Sequence, residues 1–232
     1  MRQNRMPKLL EIIVTSAEEA IEAEAGGADR LELVRSLEEG GLTPRGEVVE
    51  QVVNAVAIPV RVMLRENASM SIRDETKLAS LRSLAREIGQ LRIDGFVLGF
   101  VRGGMVDCEQ LREILREAPR LRATFHRAFE HVTEPARAIA QLKAIGQIDR
   151  ILTSGGEGSW QQRRARLIEW QAIAAPQIQL LVGIGVCASA VSELKNELTL
   201  VELHVGRAAR VPQTTSGKVS RERISSLKRA LE

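Results

Sequence analysis

The chain has no tyrosine, two tryptophans and four phenylalanines, so aromatic residues make up only 3% of its 232 positions. A surface that grips single-stranded nucleic acid by stacking bases on aromatic rings has nothing to be built from. Nor do the basic residues form a stripe: 33 lysines and arginines are interspersed with 30 acidic residues, for a net charge of +3. The densest basic cluster, Arg163, Arg164 and Arg166, shares its segment with Trp160, Glu169 and Trp170 and reads as a solvated helix face. Cysteine is equally scarce. Cys108 and Cys187 are too few and too isolated for a disulfide framework or a zinc site of the usual spacing, and read as reduced thiols at helix starts. No apolar run approaches the ~18 residues of a membrane span. The basic start MRQNRMPKLL leads into acidic, helix-forming residues rather than a small-residue cleavage site. These absences imply a cytoplasmic protein that binds neither nucleic acid nor membrane.

What is present is alternation. Short apolar runs recur at LLEIIVT (9–15), DRLELV (29–34), IPVRVMLR (58–65), GFVLGFV (95–101), RATFHRAF (122–129), RILTSGG (150–156), QLLVGIGV (179–186) and LVELHVG (200–206). Amphipathic segments separate them. Leu78, Leu81, Leu84, Ala85, Ile88 and Leu91 share one face of a helix over 74–91 behind an Asp74 cap; Ser16 with Glu19 spells a capping box, Gly26-Gly27 a stop, and a last helix is expected over 219–231. An aspartate precedes a strand in GGADRLEL, LRIDGFVL and GQIDRILT, at Asp29, Asp94 and Asp149, and the intervals of 65 and 55 residues suit two βα units each. Eight strands alternating with helices imply an α/β fold with a parallel sheet closed as a (β/α)8 TIM barrel, a single domain over 1–232 with 1–8 as a short N-terminal arm. A doubly wound open sheet is the competing architecture, but no GxGxxG follows the first strand and no Walker sequence occurs.

Side chains alternate across a strand, so in a barrel one parity faces the axis and the other packs under helices. Sorted this way, one parity is polar: Glu11, Thr15, Glu32, Arg61, Arg65, Thr124, His126, Ser154, Glu202 and His204. Met63 shares it. The other parity is apolar apart from Thr153. Isolated charges on a barrel axis each cost several kcal/mol, so these groups must pair with one another, hold water or bind a ligand. Residues near strand C-termini are better placed for function than those at strand starts, which ranks Arg65, His126, Ser154 and His204 above Glu11 and Glu32 as candidates. Gly155 and Gly156 follow the sixth strand, and Gly183 and Gly185 end the seventh, where backbone N–H groups of this fold often hold an anion. Arg127 has reversed parity at a strand end and points toward a loop, and His131 carries no functional reading.

Several of these stretches resemble one known family. GGADRLEL, EEGGLTP (38–44), IPVRVMLR, TFHRAF and DRILTSGG are similar, in order and over about residues 9–210, to the motifs of the CutC proteins, the so-called copper homeostasis family. The resemblance implies a (β/α)8 barrel, cytoplasmic location, homo-oligomerisation and an association with copper binding. Departures fall on the sulfur chemistry. Ile13 and Val34 stand where animal-like members carry the cysteines proposed as copper ligands, and Val205-Gly206 stand where others have Cys-Ser. Val182-Gly183-Ile184-Gly185 replaces a Pro-Gly-Gly-Gly run, and RENASMSIRD a Gly/Pro-rich loop.

Three functions are open at this point. One is binding of copper or another divalent metal through His126, His204 and Glu202, a donor set that suits Cu(II) or zinc better than Cu(I). A second is an enzyme acting on a small anionic or phosphorylated metabolite. There His126 is the general acid or base, paired with Glu202 or Glu32; Glu11, Glu32, Arg61, Arg65, Ser154 and the glycines at 155, 156, 183 and 185 form the binding surface. The third is a purely structural polar axis.

Overall fold

The computed structural model describes residues 8–72, 74–183, 191, 193–194 and 197–231. Eight parallel strands close a barrel: β1 (Leu9–Val14), β2 (Arg30–Leu33), β3 (Val60–Met63), β4 (Gly95–Leu98), β5 (Arg122–Phe125), β6 (Ile148–Thr153), β7 (Gln179–Val182) and β8 (Glu202–Val205). Each pairs with its neighbours in sequence, and β1 meets β8 through Leu9 to Ile12 against Glu202 to Val205. Helices α1 (Ala17–Ala25), α2 (Gly46–Ala55), α3 (Glu75–Ile88), α4 (Cys108–Leu115), α5 (Pro135–Lys143), α6 (Trp160–Ala174) and α7 (Arg221–Leu231) accompany them. None of these is long and apolar enough to cross a membrane.

The apolar parity packs as expected. Leu10, Ile12, Val14, Leu31, Leu33 and Val62 are fully buried, against the inner faces of helices such as α2, with Val49, Val52 and Val53, and α3, with Leu78, Leu81, Ala85 and Ile88. This outer layer is the hydrophobic core, and it leaves the barrel interior free for polar groups.

Local signals hold with two shifts. Asp74 caps α3 by accepting from the Thr76 N–H at 2.8 Å. Ser16 accepts from the Glu19 N–H, but the Glu19 carboxylate turns away from Ser16, accepting from the Thr15 N–H and bonding Arg210 with both oxygens. The complete capping box is Ser159 with Gln162 at the start of α6. The fifth run ends as a strand at Phe125. There the His126 ring Nδ1 accepts from the Ala128 N–H at 3.1 Å and opens a short 3-10 helix, Arg127–His131, so the second half of RATFHRAF leaves the sheet. The fourth run likewise stops at Leu98, and Val101–Arg102 pairs with Met105–Val106 in a small antiparallel ribbon. Along β6 the pairing to β5 skips Asp149, since Ala123 faces Ile148 and Thr124 faces Arg150. That bulge re-aims the strand, and adjacent residues Asp149 and Arg150 are both drawn into the same ion network.

Candidate functional site

The lower half of the barrel interior is filled by an ionic chain. Arg61, 1% exposed, donates to Asp94 at 2.8 Å, to the Thr124 hydroxyl at 2.8 Å and to both oxygens of Asp149 at 2.7 and 2.8 Å. Asp149 accepts again from Arg150 at 2.5 Å, and Arg150 bonds Glu202 at 2.6 and 3.0 Å. Glu202 accepts from Arg30 Nη2 at 2.8 Å, and Arg30 Nε donates to Glu11 Oε2. Buried charges of this kind are tolerated because every link is paired and hydrogen-bonded.

The chain ends at Glu11, Glu32 and His204. His204 Nδ1 lies 2.8 Å from Glu11 Oε1 and 3.1 Å from Glu32 Oε2. A ring nitrogen has one hydrogen to give; it serves Glu11, and Glu32 Oε2 is left buried without a hydrogen-bond partner. Along the whole axis, Glu11, Glu32, Glu202, Asp94 and Asp149 face Arg30, Arg61 and Arg150. Burial opposes a charged imidazole, but Glu32 and Glu11 outweigh it and raise the His204 pKa. Burial, helped by the Glu11 charge, pushes the Glu32 pKa up to about 7. Glu11 itself is held well below the usual carboxylate range, its burial overcome by Arg30 and His204. Glu32 thus gains and loses a proton near neutral pH.

Glu32 and His204 form the floor of a cavity of about 630 Å³ at the C-terminal mouth of the barrel. Ile13, Val34, Met63 and Leu152 line its walls, and loops add Leu37, Met70, Arg127, Arg207, Gln213 and Thr215. Arg65 lies on one side. Its guanidinium is 93% buried by residue, with exposure of 7%; it donates to the carbonyls of Gly40, Gly41 and Ala68, forms no ion pair among the described residues, and leaves Nε without a partner. Burial and the neighbouring Arg127 lower its pKa. His126 lies beside it, 3% exposed. Its pKa is lowered to about 3, by burial first and by Arg65 next, so the ring is neutral. Because Nδ1 accepts from Ala128, the proton is on Nε2, making His126 a donor. Gly99 makes room for it: a Cβ there would lie 2.6 Å from His126 Nδ1.

The CutC family model matches residues 8–209. The chain belongs to the CutC family. A Mesorhizobium japonicum protein named family protein CutC is 30% identical over 213 residues, 91% of this chain and 82% of the relative. A human protein named copper homeostasis protein cutC homolog is 38% identical over 155 residues, 65% of this chain and 55% of the relative. The fold is that of a Streptococcus agalactiae CutC crystal structure, with a TM-score of 0.78 and 24% identity over 86% of this chain and 98% of the other.

Within this CutC barrel the residues expected from sequence separate into two groups. Glu32, Arg65, His126 and His204 reach the mouth cavity, while Glu11 supports it from below and Arg61 and Glu202 belong to the ionic chain. His126 and Glu202, expected as acid–base partners, share no hydrogen bond, since Glu202 is bound by two arginines. The donor atoms that gather within 4.8 Å are those of Glu11, Glu32 and His204, a different set from His126, His204 and Glu202. The Gly155 and Gly156 N–H groups bond the hydroxyls of Thr153 and Ser154, and the Ser154 N–H bonds Glu130. Gly183 N–H pairs with Thr153 in the sheet. Gly185 and Cys187 lie outside the described residues. Strand parity selects Arg30 and Arg150 as well, since they alternate in step with Glu32 and Ser154. Arg207 opens a short 3-10 helix and Met70 lies on a loop, where strand parity gives no signal.

Proposed function

We propose that this CutC-family chain is an enzyme that binds a small anionic metabolite at the barrel mouth and moves a proton on it through Glu32 and His204. The observation that carries the proposal is the buried Glu32 carboxyl, whose Oε2 lacks a hydrogen-bond partner, on the floor of a pocket lined by Arg65, which forms no ion pair among the described residues, and by a neutral histidine donor, His126. A carboxyl with a pKa near 7 exchanges protons in both directions at neutral pH. His204, held by Glu11, steadies the charge as the proton leaves. Arg65 and His126 supply fixed donors to an anionic substrate group. The test follows deuterium wash-in by NMR for a panel of small carboxylated and phosphorylated metabolites in D2O. Exchange at a carbon acid is expected with the intact chain and should fall at least ~100-fold in Glu32→Gln. Absence of both exchange and binding across the panel overturns the proposal. We place the activity in the cytoplasm, in keeping with the free thiol of Cys108, and expect copies of the chain to assemble.

A second reading takes up the copper role named in the human relative. Its support is the cluster of Glu11, Glu32 and His204 donors within 4.8 Å, all buried. A divalent ion displacing the protons of Glu32 and His204 would leave the axial charges balanced. Carboxylate and imidazole favour Cu(II) or Zn(II); Cu(I) prefers thiolate, and Cys108 is not among the cavity residues. Titration of Cu(II) and Zn(II) with proton release measured in buffers of different ionisation enthalpy tests it. Binding that releases about two protons and is lost in Glu32→Gln supports a metal site, and no stoichiometric uptake removes it.

A further inference from the structure

The anion site has a second half that is not polar. Val34 and Met63, with Val97, form a small apolar cluster inside the barrel, apart from the main core, and Ile13 and Leu37 pack on it. Four of these, Ile13, Val34, Leu37 and Met63, also line the mouth cavity, joined by Leu152. Gly41 fixes the loop above them: its φ of +89° is one that side chains rarely adopt, and a Cβ would press within 3.0 Å of Val34 and 3.5 Å of Met63. Arg65 and His126 line the same cavity, and Arg65 donates to the Gly41 carbonyl beside that apolar patch. The cavity thus combines an apolar lining with buried donors.

Charge limits the occupant further. The arginines lining the cavity are Arg65, Arg127 and Arg207, and Glu38 and Glu39 oppose them at the exposed rim. Arg127 and Arg207 are exposed at that same rim, so among the described lining residues Arg65 is the buried arginine and offers one fixed site for an anionic group. A polyhydroxylated ligand would lay hydroxyls against Ile13, Val34 and Met63, where no protein group replaces their lost water. Such a mismatch is what gives a pocket strong discrimination.

Resting on the anion reading above, we propose that the substrate is a monocarboxylate with a compact apolar body, its carboxylate held by Arg65 and its body against Ile13, Val34, Leu37 and Met63. The carbon next to the carboxylate then lies over Glu32, and the apolar body excludes water from the proton transfer.

Calorimetric titration of the full chain with monocarboxylates of matched charge, and with the more highly charged glycerol 3-phosphate, decides the matter. 4-Methylpentanoate and 3-phenylpropanoate should bind at least tenfold more tightly than glycerate, gluconate and glycerol 3-phosphate. Met63→Gln and Val34→Thr should cut that preference to less than threefold while Arg65→Gln weakens every carboxylate. Should the core variants fail to fold, nuclear Overhauser contacts between 4-methylpentanoate methyls and the Met63 methyl in the unmodified chain give the same information. Arg65-dependent binding with no apolar preference, or tighter binding of glycerol 3-phosphate, overturns the monocarboxylate assignment and leaves the anion site standing. No binding of any probe, inorganic phosphate and sulfate included, overturns both.

Discussion

At the scale of single residues, the pocket is governed by where protons rest. Glu32 has a folded pKa of about 7 against an ordinary 4.5, so it is protonated in the fold at pH values where the unfolded chain has already lost that proton. Its contribution to stability is therefore full below pH 4.5 and is lost as the pH rises toward 7. His204, also raised, acts in the same direction. His126 acts oppositely: its depressed pKa gives stability that is present above pH 6.5 and lost as the pH falls toward 3. Comparison with Glu32→Gln isolates the first effect. In urea unfolding between pH 4.5 and 8, the stability of the natural chain relative to the variant should fall with rising pH. A constant difference would show that Glu32 titrates normally. Legibility at this scale followed geometry. Glu11, Glu32, Arg61, Glu202 and His204 were readable because strict alternation places them inside. Asp149 was not, because a bulge breaks alternation at that residue. Its appearance in the strand-opening aspartate repeat was the available clue, for Asp94 and Asp149 both converge on Arg61.

At the scale of elements, the barrel strands could be recognised from their apolar runs, but their ends could not, since side chains rather than propensity terminate them. His126 is the instructive case. Sequence reading treats it as a pocket histidine whose loss costs little stability, whereas the structure also makes it the cap of Arg127–His131. His126→Ala should strand the Ala128 N–H and cost about 1–3 kcal/mol in denaturant unfolding. His126→Asn retains a side-chain acceptor suited to a cap while removing the Nε2 donor. It should recover most of that stability yet bind 4-methylpentanoate about tenfold more weakly than the natural chain, equivalent to ~1.4 kcal/mol. Equal affinity in the Asn variant would assign His126 to architecture alone.

At the scale of the molecule, the axial ion chain links strands that have no backbone contact. Arg61 on β3 reaches β6 through Asp149, crossing the barrel interior. Arg61→Met leaves Asp149 and Asp94 without that partner and should cost about 3–5 kcal/mol. The double variant Arg61→Met with Asp149→Asn should recover part of the loss in a double-mutant cycle. Additive losses would mean that the two residues are not coupled.

The seam between β1 and β8 closes the ring with residues from opposite ends of the sequence. Arg30 can meet Glu11 as soon as β2 exists, but Glu202 and His204 come from the last strand. Around the same seam Arg210 grips Glu19, and Lys228 reaches Asp29 and the carbonyl of Lys8. On the ribosome, a nascent chain that has emerged only as far as β7 lacks the strand that pairs with β1 and the Glu202 and His204 side chains that bond Arg30 and Glu11. Under the proposed function, ligand binding in the mouth would then report that translation has run through the eighth strand, because His204, which stands beside Glu32, is delivered last.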